Sequence, residues 1–293
     1  MTDLMRRMRA RLEGLDGFDI AAMLTLMTLM LYGDSVWYAR VLVRALCPLG
    51  IVFARVRRSP AFWLALASGL ATSVYHDWWT KDNHKYLMAY WCLAMWGTLQ
   101  TSDPATALRK SARWLIAGCF AFATFWKTMT PDFMDGRFFQ FSLLFDERLS
   151  GIGRELADLS DQQITANKDA IKQLTGWIDT TRFVSLQGMD ALRPWALKMA
   201  WWTVLIEGAV AVAFLAPDGS ALAKTRNAML LAFVVSTYLL APVLGFACIL
   251  LAMGLAQCHP RDTFGRVGYI AGFVALQFYM SPWKEIAGVA HGT

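Results

Sequence analysis

The chain has 293 residues, a formal net charge of +6 and 56% hydrophobic residues, with 13 tryptophans and a mean hydropathy of +0.38. A soluble domain is about 45–50% apolar, so the surplus calls for a lipid-facing surface, and because the apolar runs are continuous rather than alternating, a closed membrane β-barrel is excluded. The bases cluster between apolar runs, as in positive-inside loops, which argues against nucleic acid as a partner.

Arg6, Arg7, Arg9 and Arg11 open the chain like a basic signal region. Asp16 and Asp19 break into the apolar stretch behind them, and no small-residue cleavage site ends the run near Tyr32, so the first helix is expected to be retained. Apolar stretches then recur at 18–33, 36–54, 61–77, 86–101, 111–127, 195–216, 226–257 and 267–283, most of them near the roughly 20 residues that a crossing needs. The expected fold class is all-α: a polytopic transmembrane bundle of about eight helices with a small non-cytoplasmic helical insert. Residues 1–130 form the N-terminal part of the membrane domain, 131–194 an interfacial helix and the insert, and 195–293 the C-terminal part. The stretch 226–257 is long for one crossing; Pro242 either kinks it or divides it into two half-helices.

Lysine and arginine placement sets the orientation. The N-terminal arginines, Arg55, Arg57 and Arg58, then Arg109, Lys110 and Arg113, then Lys224 and Arg226 fall on one side if the spans alternate, and that side is cytoplasmic. Lys81 and Lys85, and Arg261 and Arg266, fall on the other, and the C-terminus with Lys284 is cytoplasmic. Residues 131–194 share the non-cytoplasmic side with His76, Asp82, His84, Lys127, Asp132 and Asp135. Phe133–Phe145 has the aromatic character of an interfacial helix. From Ser150 to Asp190, Ile152, Leu156, Leu159, Ile164, Ile171, Leu174 and Ile178 recur at mostly helical spacing. That segment is too short for a core of its own and is expected to pack on the membrane domain or on a partner.

Three positions carry unusual chemistry. Lys127 ends an apolar run and precedes Thr128–Arg137. Its plain reading is a boundary lysine whose ammonium reaches the headgroups. Its functional reading is a general base, which requires the neutral amine; burial among Phe122, Phe125 and Trp126 would favour that form. His84 opens a span behind Asp82 and Asn83, either of which would cap the helix; its plain reading is a solvated interfacial imidazole and its functional one a hydrogen-bond donor. Glu207, inside Trp201–Val210, is an ionisable group in an apolar helix. Such a group is protonated, paired with a buried base, or bonded between helices, and Gly208 beside it would allow close helix approach. The tryptophans read mainly as belt anchors, a few of them able to line a flat-ring pocket. The five cysteines form no CxxC pair and read as small core residues, and the histidines lack metal-ligand spacing, so no metal is expected.

Asp82-Asn83-His84-Lys85-Tyr86-Leu87, Trp126-Lys127 with Asp132-Phe133-Met134-Asp135-Gly136 beyond it, and the Leu205-Ile206-Glu207 helix together resemble the HTTM superfamily, the membrane domain of vitamin K-dependent γ-carboxylases. The resemblance covers residues 15 to 283 except the insert at 149–190. It implies Lys127 as the base acting on a reduced quinone cofactor and His84 as its catalytic partner; beside them, Asp132 and Glu207 are expected to orient the base, and Asp132, Glu207 and Trp126 to bind the cofactor. Against the carboxylases, the chain is expected to lack the large lumenal region after the membrane domain, and it has Thr128-Met129-Thr130-Pro131 after the lysine. Its size resembles short bacterial relatives that mature a secreted peptide. Two readings are compatible with these residues. One is a multi-pass protein of the bacterial inner membrane that modifies or matures a secreted peptide or protein at the outer face. The other is a non-catalytic subunit of a membrane complex that docks a partner through the 149–190 helices.

Overall fold

The computed structural model of the chain describes residues 16–33, 36–76, 78, 82–146, 148–172, 184–238, 240–241 and 243–279. The expectations for the N-terminal arginines, Asp77, Lys81, Leu174, Ile178, Pro242, Trp283 and Lys284 lie outside these residues. Among the described residues the regular structure is all helical. The helices are α1 (Gly17–Tyr32), α2 (Trp37–Val52), α3 (Ala54–Arg57), α4 (Pro60–His76), α5 (Asn83–Thr98), α6 (Pro104–Met129), α7 (Pro131–Met134), α8 (Arg137–Phe145), α9 (Ser150–Ala157), α10 (Asp161–Lys172), α11 (Met189–Leu215), α12 (Arg226–Tyr238), α13 (Leu244–Gln257) and α14 (Thr263–Tyr279), with a 3₁₀ turn at Ala223–Thr225.

Over its described residues each expected span is mainly helical, with one division. The stretch 226–257 is two helices, α12 ending at Tyr238 and α13 starting at Leu244. By length and hydropathy α11 alone among the described residues has what a full crossing needs; α1 and α13 are apolar but shorter. The 26 residues of α6 include Arg109, Lys110, Arg113 and Lys127.

The chain divides into two compact units, through α6 and α11 rather than at the ends of the insert. One comprises residues 1–119, 210–238 and 243–293; the other comprises 120–209 and 239–242. The first unit is built around α13, buried from Ala247 to Ala256. A helix apolar on every side belongs in an interior, and α1, α5, α12 and α14 surround it. Asp16 caps α1 by accepting from the Phe18 amide at 3.0 Å, and Arg58 and Arg57 pair with Asp19 at 2.7 and 2.9 Å. Those bonds bring the base-rich end of α2–α3 to the start of α1. Within the core, Trp91 donates its indole N–H to Thr25 Oγ1 at 2.8 Å, so its one polar group is satisfied where water is absent.

The two ends of this unit differ. The starts of α1, α6 and α14 and the end of α13 meet around one cavity, lined among others by Phe18, Leu108, Leu255 and Arg266. The end of α1 and the starts of α5 and α13 meet at the other end, where Lys85 Nζ donates to the Tyr32 carbonyl and Gly245 lies against His84. This corrects the sequence-based orientation. Because 226–257 runs out and back as two helices, Arg261 and Arg266 lie at the same end as Arg109 and Arg226, not opposite them.

In the second unit the expected single helix over 133–145 is broken. Pro131 opens the one-turn α7, Gly136 takes a left-handed φ of 86°, and α8 starts at Arg137. A Cβ on Gly136 would stand 3.1 Å from the Leu197 amide nitrogen, so only glycine lets this turn press onto α11. The insert forms α9 and α10. Ser160 and Gln163 close a capping box at the start of α10, with the Gln163 amide donating to Ser160 Oγ at 3.3 Å and the Ser160 amide to Gln163 Oε1 at 2.9 Å. Leu149 and Leu159 pack with Leu143, Leu144 and Leu192, with Leu156 and Ile164 against them. Buried Asn167 holds Gln187 through two bonds of 2.8 and 3.0 Å. Leu156, Leu159 and Ile164 of the insert are therefore used inside its own unit, whereas Ile152 is exposed.

Candidate functional site

The last turn of α6 and the middle of α11 supply the charged pair of the second unit. Lys127 Nζ donates to Glu207 Oε1, joining two positions 80 residues apart in the sequence. The Glu207 side chain is 8% exposed and that of Lys127 is 24% exposed, so the carboxylate is interior and the amine keeps a route to the surface. A cation also suits the end of α6, where backbone carbonyls leave a partial negative charge. Lys127 Nζ lies 5.4 Å from the centre of the Phe133 ring, which stacks on Phe138 at 5.4 Å and packs into a small core with Ala200 and Val204.

Two polar atoms beside this pair lack partners. Glu207 Oε2 and Thr124 Oγ1 are buried and make no hydrogen bond among the described residues. Thr124 lies one turn before Lys127 on α6, and its methyl would sit 3.6 Å from a Cβ on Gly208, next to Glu207. That spacing accommodates an alanine, so close approach here does not require Gly208. A buried acceptor without a donor is costly, and the pair of orphans fits a hydroxyl that donates to the carboxylate. Sequence reasoning misses Thr124, whose only signal is its i−3 relation to Lys127.

The other expected site residues are placed differently. Phe122, Phe125 and Trp126 are exposed and do not bury Lys127, because α6 turns its glutamate-facing side inward and these rings outward. Asp132 is exposed and pairs with Arg137 at 3.3 Å rather than orienting Lys127. Asp135 accepts from the Arg137 amide at 3.0 Å and from its guanidinium at 2.7 Å, which stabilises the turn around Gly136. The acidic-aromatic segment is thus a built corner, with its carboxylates committed to Arg137.

His84 belongs to the first unit, whereas Lys127 and Glu207 belong to the second. It is buried in the first turn of α5, its Nδ1 3.9 Å from Asp82 Oδ2. Asp82 occupies the cap position without the expected side-chain bond; its backbone carbonyl accepts from the Lys85 amide at 2.9 Å. The imidazole fills the space over Gly245, where a Cβ would come within 2.9 Å of both Cδ2 and Nε2.

No family model, characterised protein or solved structure matches this chain.

Proposed function

We propose that this is a multi-pass inner-membrane protein that uses the Lys127–Glu207 pair for acid–base chemistry in modifying or maturing a secreted peptide or protein. The observation that carries the reading is the pair itself: an amine bonded to an interior carboxylate whose second oxygen lacks a donor. The resemblance of Trp126–Gly136 and of the Glu207 helix to the γ-carboxylase membrane domain supports it. Membrane residence is supported by the large side chains left outside, among them Leu31, Trp37, Tyr75, Phe122, Trp126 and Leu205. Water would disfavour so many exposed apolar groups, whereas lipid would not.

A reduced quinone would be held by Glu207 Oε2 and Thr124 Oγ1, both of which are buried and unpartnered among the described residues. That cofactor, when bound, supplies a hydroxyl proton and a pair of electrons. Lys127, paired as the ammonium, first releases a proton to solvent along its 24% exposed side chain; as the neutral amine it then accepts a proton at Nζ, and Glu207 Oε1 holds the ammonium that re-forms. The low-polarity surroundings built by Phe133, Ala200 and Val204 strengthen that attraction relative to water.

One observation favours a second reading. The pair closes on itself, and an ion pair between α6 and α11 also serves as a structural tie in a non-catalytic membrane subunit. Of the 149–190 segment through which such a subunit would dock a partner, Leu156, Leu159 and Ile164 pack within the second unit and Ile152 is left exposed. The experiment is to extract and chromatograph quinone from the purified full chain and to weigh the secreted peptides of the native host. Loss of bound quinone and accumulation of unmodified precursor in a folded Lys127→Ala protein support the enzyme. Unchanged quinone content and unchanged secreted masses refute the base.

A further inference from the structure

The base-rich end of the first unit contains a cavity of about 410 Å³, within the roughly 300–1,000 Å³ typical of small-molecule sites. Its walls carry five cations and two carboxylates. Two of the cations are occupied. Arg113 and Arg226 close the C-terminal end of α11: Arg113 donates to the Phe214 and Ala216 carbonyls at 2.9 and 2.8 Å, and Arg226 to the Ala213 carbonyl at 2.9 Å. Asp218 bridges them at 3.0 and 2.7 Å. The second carboxylate, Asp262, is also occupied, accepting from Asn227 Nδ2 at 2.5 Å and from the Gly265 amide at 3.0 Å.

The remaining cations are the informative ones. Arg109 makes one bond, to Thr106 Oγ1 at 2.7 Å. The side chains of Lys110 and Lys224 make no hydrogen bond or ion pair among the described residues, yet α6 and the 3₁₀ turn bring them to one concavity. Its floor is rigid: Asn227 Oδ1 accepts from Gln257 at 2.5 Å and from the buried Tyr269 hydroxyl at 2.9 Å. A solvated basic face needs neither a concave shape nor a bonded floor. Arg109 and Cys258 also line an adjoining cavity of about 280 Å³, whose other walls are mainly apolar, with Phe18, Leu108, Leu255 and Ala256, but also carry Asp16 and Arg266.

We infer that the larger cavity binds the phosphate of an anionic lipid, with Arg109, Lys110 and Lys224 around the phosphate and the adjoining apolar cavity taking the start of an acyl chain. An arginine fork and two lysine point charges are the donors that phosphate recognition uses, and basic pockets at helix ends on the cytoplasmic side suit anionic headgroups. The lipid source rests on the membrane reading; the phosphate site does not.

The test is the thermal melting of the detergent-purified full chain titrated with phosphatidylglycerol, phosphatidylcholine or inorganic phosphate, with native mass spectrometry counting bound lipid. Phosphatidylglycerol should raise the melting temperature and phosphatidylcholine should not, as expected when a ligand binds the folded state alone. Lys110→Gln and Lys224→Gln should each weaken that binding roughly fivefold, while Lys168→Gln, in the insert, should not. An equal shift from inorganic phosphate would keep the phosphate site and assign it to a soluble phosphate ester instead of a lipid. Equal shifts from the two lipids, or full binding by the Lys110→Gln/Lys224→Gln protein, would overturn the site.

Discussion

At the scale of single residues, the account rests on a charge placed where charge is expensive. Removing Lys127 leaves the interior Glu207 without its cation. Lys127→Met is expected to cost on the order of 3 kcal/mol, and adding Glu207→Gln to recover most of it, because a buried pair is weakened far more by losing one partner than by losing both. Chemical denaturation of the single and double variants in micelles measures this. Gly245→Ala is expected to cost roughly 1–3 kcal/mol through overpacking against His84, seen as a lower melting temperature. Lys127 and His84 are legible in the sequence at the edges of apolar runs, and Glu207 as an ionisable group inside one. The Lys127–Glu207 bond is not, since positions 80 residues apart meet only through tertiary packing. The direction of Phe122, Phe125 and Trp126 is equally hidden, because α6 carries apolar residues on both its inward and outward sides.

At the scale of elements, corners and helix ends decide where these residues stand. Gly136→Ala forces a side chain into a left-handed backbone with the Leu197 amide at 3.1 Å. Its expected cost is about 1–2 kcal/mol, together with reduced activity through displacement of Phe133 beneath Lys127. The Asp-Gly dipeptide at 135–136 marks this turn in the sequence, but the surrounding aromatic run hides it. At the end of α11, the hydrogen bond from Arg226 holds Asp218's carboxyl below the usual carboxylate range, with Arg113 adding to the effect. A lowered folded-state value means that this contribution is complete above the unfolded carboxylate's pKa of about 3.9 and is lost as pH falls through the lower folded value. Melting temperature should therefore fall more steeply below about pH 4 in the wild type than in Asp218→Asn, which starts lower at neutral pH. The capping role of Arg113 and Arg226 cannot be read from the sequence, where both look like ordinary positive-inside charges.

At the scale of the whole molecule, apolar runs reveal helices but not the parity of their connections. Dividing 226–257 into two helices moves Arg261 and Arg266 to the end that holds Arg109 and Arg226, and it sharpens the charge asymmetry between the two ends of the first unit. A single cysteine introduced at His259 in an otherwise cysteine-free chain should react with an impermeant maleimide from the same side as one at Asp218, and one at Asp82 from the opposite side. Once paired, Lys127 acts either as a base or as a structural tie, and Lys127→Arg separates the two. Arginine keeps the positive charge and can pair with Glu207, but it stays protonated at any working pH and cannot serve as a base. The decisive measurement is the mass of the secreted peptides from the native host carrying only the Lys127→Arg protein, with its insertion and melting temperature verified. A stable, inserted protein that leaves the precursor unmodified is the predicted result; a fully matured product would contradict the account and leave Lys127 as a structural tie.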